Sequence, residues 1–189
     1  VTNATLTGVE LVGGSWTYDG GEHSATLNGA VSTDTVEYRY SVNGGAWSDW
    51  GTEVPSVTHV SDGTLTVEVK VTRANYDPAT DSDTIAVTAA AVELTADSDS
   101  WTYDGSEHTL HTYTITNGSF VTGEGLASAA FAAASAITNV GSVNNTITGV
   151  TVTSATEADD YAFTYKPGTL TVTNATLTGV ELVGGSWTY

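Results

Sequence analysis

The chain of 189 residues contains no cysteine and no methionine, only three prolines, and only four lysines and arginines together. Each shortage excludes something. Without cysteine there are no disulfides and no thiolate metal sites, so stability must come from packing and hydrogen bonds. Against 4 basic side chains stand 22 acidic ones, a formal net charge of −18. A chain this acidic repels nucleic acid and anionic membrane, and neither is expected as a partner. No apolar run approaches the roughly 20 residues that span a bilayer as a helix, so no membrane insertion is expected. With no initiator methionine and no leader-like stretch, the sequence reads as a slice of something longer. At 40% hydrophobic residues, the chain can fill two ordinary cores of about 85 residues each.

Repetition is what the sequence has in place of these features. "SWTYDGGEH" occupies residues 15–23, "SWTYDGSEH" residues 100–108, and "SWTY" residues 186–189. The anchors Trp16, Trp101 and Trp187 are 85 and 86 residues apart. Residues 1–18 are identical to residues 172–189, so the true period is 171 residues and holds two related modules, A and B. The expected divisions are 1–3 as the end of a preceding B, 4–89 as module A, 90–174 as module B, and 175–189 as the opening strand of the next A. The closing phrases "DTIAVTA" and "GTLTVTN" run into the next WTYDG within about 20 residues, leaving no Pro-rich or Gly/Ser-rich tether.

The apolar period within modules is two. In "VEYRYSV", Val36, Tyr38, Tyr40 and Val42 alternate with Glu37, Arg39 and Ser41; in "LTVEVKV", Leu65, Val67, Val69 and Val71 alternate with Thr66, Glu68 and Lys70. That is the pattern of half-buried antiparallel strands. Asn28-Gly29, Asn43-Gly44-Gly45, Asp62-Gly63 and Asn117-Gly118 are turn signals between them. The reading is an all-β protein of tandem immunoglobulin-like antiparallel β-sandwich modules arranged end to end. Tyr38, Tyr40, Val67 and Val69 are expected in A's core, and Ile147, Val150, Phe163 and Leu170 in B's. The alanine-rich residues 125–141 have helical composition but no cap, and are read as extended. A helix there would indicate a β-grasp module instead.

In WTYDG, Trp16 and Tyr18 alternate onto one face, as do Trp101 and Tyr103. Asp19-Gly20 and Asp104-Gly105 then turn the chain, Asp capping backbone amides and Gly taking positive φ. Core aromatics with an obligatory turn are the favoured reading, with glycan stacking as the sharper one. "TYDGGEH", "TYDGSEH", "RANYDPAT…DTIAVT" and "ITNVGSVNNTIT…DDYAFTYKPGTLTVT" resemble the YDG-type and MBG-type tandem repeats of large bacterial surface adhesins. The resemblance implies an extracellular, cell-surface protein with these modules as its stalk, and no catalytic residues. Module A departs from it at "SVNGGAWSDW", where it is similar to other bacterial immunoglobulin-like repeats.

Chemistry-bearing residues are sparse. His23 and His108 hold equivalent places, and His111 lies three beyond His108, on the opposite face of a strand, a poor metal pair. Asp97 and Asp99 at the A–B junction, and Asp81 and Asp83 before A's last strand, are weak calcium candidates, since calcium needs several converging oxygens. With Glu157, Asp159 and Asp160 they are read as solvated charge. Lys70 and Lys166 suit solvent, so no isopeptide crosslink is expected. Sequons at Asn3, Asn117, Asn144 and Asn174 matter only in a glycosylating host. No nucleophile elbow or phosphate loop is present, and no enzyme is expected.

Two functions follow. One is a stalk or fibre that spaces a tip from the cell, with neighbouring copies as partners and possible filaments. The other is a glycan- or mucin-binding module using Trp47 and Trp50. The segment Ala175–Tyr189 is expected to be ordered, by packing along module B or by pairing with another chain.

Overall fold

The computed structural model describes residues 2–187. The chain is built from β-strands, with two single-turn 3-10 segments, Val60–Asp62 and Ala158–Asp160, and no α-helix among the described residues. It divides into two compact units. The first comprises Val1–Val92, Asn117–Ala127 and Thr151–Thr164; the second comprises Glu93–Thr116, Ser128–Val150 and Tyr165–Tyr189.

The first unit is organised on a four-stranded sheet, in the order Gly14–Thr17, Ala79–Thr88, Leu65–Thr72, Thr35–Val42. The strand Leu65–Thr72 forms because its branched residues recur every second position. Leu65, Val67, Val69 and Val71 are all buried. At roughly 1.5–3 kcal/mol per buried aliphatic side chain, this single strand supplies a large share of the unit's packing energy. Its other face places Glu68 opposite Arg39 and Lys70 opposite Glu37 on the neighbouring strand. Those cross-strand pairs close at 2.5 Å and 2.6 Å. Lys70 is therefore held by a carboxylate.

The second unit repeats the plan on three strands, Asp99–Thr102, Gly168–Thr173 and Gly141–Asn145. Leu170, Val172 and Ile137 are buried at its centre, with Trp101, Leu110 and Val143 packed against them. The alanine-rich stretch is extended as read: Leu126–Phe131 is a strand, the Ser135 amide donates to the Ala132 carbonyl in a turn, and Ala136–Ile137 resumes the strand.

The sheets are mixed and not purely antiparallel, which corrects the expectation. In each unit the short strand carrying the motif tryptophan runs parallel to the module's closing strand, with Trp16 opposite Val87 and Trp101 opposite Val172. A module's first and last strands that leave in the same direction can only pair this way. The core lists also need correction. Val67, Val69, Ile147 and Leu170 are buried, but Tyr38, Val150 and Phe163 are half-buried and Tyr40 is exposed. Tyr38 and Tyr40 line an open cleft.

One phrase has two fates. Residues 4–17 make three strands: Ala4–Thr5, Glu10–Val12 and Gly14–Thr17. Of their identical copy, residues 175–187 make none, and Leu177, Val180, Leu182, Val183 and Trp187 are exposed. Packing along module B, one of the two expected routes to order, does not occur. Thr188 and Tyr189 lie outside the described residues.

Candidate functional site

The repeated motif builds the same device twice. In the first unit the Trp16 and His23 rings stack with centroids 4.8 Å apart and planes 8° from parallel. Asp19 Oδ1 accepts the Gly21 amide at 2.8 Å and lies 3.0 Å from His23 Nε2. In the second unit Trp101 and His108 stack at 4.7 Å and 10°. Asp104 Oδ1 accepts the Ser106 amide at 2.8 Å and lies 3.1 Å from His108 Nε2. Both turns need the glycine: Gly20 and Gly105 have φ of +77° and +82°, a region side chains avoid. The amide bonds, with the histidine beside them, hold both Asp carboxyls below the ordinary range. Each histidine also pairs across to a buried aliphatic, His23 to Val57 and His108 to Ile137. Every chemically distinctive residue of the motif is thus consumed in closing its own module.

Tyrosine is the exception. Tyr18 is 5% exposed and its counterpart Tyr103 is 42% exposed, although the phrase around them is the same. Tyr18 is covered by residues the motif does not predict. Its hydroxyl donates to Glu124 Oε1 at 2.6 Å, and the Tyr161 hydroxyl donates to the other oxygen at 2.6 Å. The Tyr161 ring meets Tyr18 edge-on at 5.4 Å, and His59 stacks on Tyr18 at 5.7 Å. Burial, then the Glu124 carboxylate, push both phenols up, Tyr161 to about 12. Beside them Asp160, fully buried, accepts the Val60 amide at 2.8 Å and lies 2.6 Å from His59 Nδ1. The hydrogen bond to Asp160 raises the His59 pKa. Asp160 departs from the expected solvated charge: it is buried, with an imidazole and a backbone amide as partners. His59, Asp160 and Glu157 are also the one His/acid group among the described residues with metal-like spacing. Asp160 and His59 already bond each other directly, so the cluster reads as an ion pair.

The other acidic candidates have local partners as well. Asp81 Oδ2 accepts the Leu11 amide at 2.7 Å, and Asp83 Oδ2 accepts the Gly13 amide at 2.8 Å. These two carboxylates grip the opening segment, and the Gly13 and Thr84 amides hold Asp83 below its usual pKa. Asp97 accepts the Thr114 hydroxyl at 3.1 Å, and Asp99 accepts the Ser100 amide at 2.7 Å. They do not converge on a common point as a calcium cage would.

Trp47 and Trp50 flank a cation. The Arg39 guanidinium lies 4.7 Å from the Trp47 ring and 4.6 Å from the Trp50 ring, and Lys70 Nζ lies 4.5 Å from Trp50. Trp47 keeps 43% exposure. Nearby residues form an open cavity of about 500 Å³ with Tyr38, Tyr40, Asp49, Glu53 and Val54 in its lining. His111 stacks on Phe131 at 5.0 Å, and Lys166 pairs with Glu93 at 2.9 Å.

The sequence could not have signalled that Glu124 and Tyr161 meet Tyr18, because both are more than a hundred residues from it. No protein-family model and no curated protein matches this chain.

Proposed function

We propose that the chain is a structural repeat of an extracellular stalk or fibre of a microbial surface adhesin, made of tandem immunoglobulin-like modules that space a tip from the cell. The observation that carries this reading is the pair of tyrosines. Trp, Asp, Gly and His of each motif close their own module, so only the tyrosine is left to meet something else. Tyr18 is met by Glu124 and Tyr161, which lie in the stretch the sequence reading gives to the second repeat but fold into the same compact unit as Tyr18. Tyr103 is the same side chain without a cover. In a longer array the next module would supply it. Exact repetition of 18 residues supports the same role, because a spacer needs copies and not variety. The reading assigns no catalytic residue. The test is a series of arrays of increasing copy number measured by small-angle scattering. Maximum dimension should grow in proportion to copy number; a plateau would overturn the spacer role.

A second reading, glycan or mucin binding, is favoured by the half-exposed Trp47 and by the open cavity whose lining combines Tyr38 and Tyr40 with Asp49 and Glu53. Aromatic faces beside acidic acceptors suit sugar rings. Glycan-array binding lost in both Trp47→Ala and Tyr40→Ala would establish it, and silence on the array would remove it.

A further inference from the structure

We infer that the open cleft beside the strand Thr35–Val42 is a binding site for a sugar that carries a free, protonated amine. The inference rests on the glycan reading and adds the charge that the sugar must carry. The cleft has a volume of about 500 Å³, and its lining residues all lie within the first unit. Tyr38 and Tyr40 share one side of it because they stand two positions apart on one strand face. At about 3.3 Å per residue their attachment points are roughly 7 Å apart. That is a platform broad enough for a pyranose ring and wider than a lone ammonium needs. Val54, Pro55 and the buried Leu65 continue the apolar surface. Tyr40 is 39% exposed, so its ring is accessible.

Three carboxylates share this lining: Asp49, Glu53 and Asp62. The Thr58 and His59 amides donate to Asp62 Oδ2 at 2.7 Å and 2.8 Å, which fixes its place and leaves its charge. Among the described residues, the Asp49 and Glu53 carboxylates make no hydrogen bond and no ion pair. No lysine or arginine lines the cleft, and all four in the chain are paired elsewhere. A ligand has to bring the counter-charge. Two further effects have the same sign. Tyrosine ring faces carry the negative part of the quadrupole and attract cations. A cleft with charges of one sign and low-dielectric walls concentrates ions of the other sign. Carboxylates, ring faces and a net charge of −18 all select a cation.

The nature of that cation follows from the walls. A bare metal ion needs several converging oxygens. Among the described residues the one His/acid group with metal-like spacing lies elsewhere, at His59, Glu157 and Asp160. An alkyl ammonium such as a lysine side chain matches the charge but covers less of the platform. A neutral sugar covers the platform and donates hydroxyls to the carboxylates, yet leaves their charge uncompensated. A sialylated or sulfated sugar meets repulsion. An amine-bearing sugar satisfies both the rings and the carboxylates.

The experiment compares two ligands on the unaltered chain by calorimetry: the trimer of glucosamine and the trimer of N-acetylglucosamine. They share a backbone, and acetylation removes the charge. At about pH 5.5 the carboxylates are ionised and the amines are protonated. The glucosamine trimer should bind about tenfold more tightly, as a charge-assisted contact exceeds a neutral one. Its affinity should fall when sodium chloride rises from about 20 mM to 200 mM. Asp49→Asn with Glu53→Gln should remove most of the preference, and Tyr40→Ala should weaken binding of the amine trimer. All three positions are exposed, so these variants keep the fold. Glu107→Gln, at an exposed acid of the second unit, should bind as the unaltered chain does. Equal or tighter binding of the acetylated trimer would overturn the inference and leave the glycan reading standing. Silence from both trimers would overturn it too, and the glycan array then decides the wider reading by itself. A loss in Glu107→Gln equal to that in the cleft variant would reduce the effect to general attraction by an acidic chain. A lysine trimer that binds as tightly as the sugar would make the cleft a site for basic peptides. Either result overturns the inference.

Discussion

At the scale of single residues, identical letters are worth different amounts because their surroundings differ. Tyr18 and Tyr103 occupy the same place in the same phrase. The first donates from a buried hydroxyl to Glu124 at 2.6 Å, and the second is 42% exposed. A hydrogen bond to a charged group is worth about 1.5–3 kcal/mol, while a surface change away from such features stays within about 0.5 kcal/mol. Tyr18→Phe should therefore lower the unfolding free energy by that larger amount, read as a lower urea midpoint at unchanged slope, and Tyr103→Phe should leave it nearly unchanged. Equal effects would mean that the Glu124 contact contributes nothing in solution. His59 makes a second prediction with a definite sign. Its pKa is raised by the bond to Asp160, by Asp160's charge, and by Glu157 and Asp62 nearby, with burial opposing. A raised folded value means stability that is complete below about 6.5, the unfolded value, and lost as pH rises through the folded one. The chain should lose stability as pH rises above about 6.5, and His59→Gln should flatten that slope. An unchanged slope in the variant would place the titration elsewhere.

At the scale of elements, the same contrast holds for a whole strand. Glu10–Val12 exists because the strand Thr26–Asn28 and the carboxylate of Asp81 are there to take its backbone. The copy at 181–183 has the same propensity and forms no strand. Leu11→Ala should cost about 2–5 kcal/mol, as buried leucines do. Leu182→Ala in the dilute monomer should fall within about 0.5 kcal/mol, and urea unfolding of both variants checks the pair. This contrast also shows what the sequence could disclose. Alternation exposed the valine strand Leu65–Thr72 completely, and the turn signals placed Gly20 and Gly105 correctly at positive φ. Those features depend on neighbours within a few residues. The parallel pairing of opening and closing strands depends on contacts about seventy residues apart, such as Trp16 with Val87. Alternation cannot report direction, so it does not distinguish these parallel pairs from antiparallel ones. Tyr40 lies on the apolar phase of its strand, yet that face opens onto the cleft, and the sequence says nothing of what lies opposite. The motif residues of the site were visible for the same local reason. Glu124, Tyr161 and His59 were not, because each acts on Tyr18 from a different part of the chain.

At the scale of the whole molecule, charge is the feature that no single contact resolves. The four cations are all matched: Arg39 with Glu68, Lys70 with Glu37, Arg73 with Asp34, and Lys166 with Glu93. The Arg73 bond draws Asp34 down to about 2. The remaining acids, 22 less these four, have no lysine or arginine to meet. Several, including Asp81, Asp83, Asp62 and Asp160, accept backbone amides, which fixes their place but leaves their charge. Mutual repulsion among them opposes the compact state. Added salt acts on both terms. It weakens the surface pairs, which are worth about 0–1 kcal/mol each. It also screens every exposed like-charge interaction beyond a Debye length of about 10 Å at 0.1 M. Four modest attractions stand against eighteen unmatched negative charges, so screening of the repulsion should win. Raising sodium chloride from about 20 mM to 500 mM should therefore raise the melting temperature by several degrees, at about 2–4 °C per kcal/mol for a chain of this length. Chloride suits the test because sulfate would also strengthen apolar burial by exclusion. A melting temperature that falls with sodium chloride would mean that the four ion pairs outweigh the repulsion, and that the acidic surface is not a burden the fold has to carry.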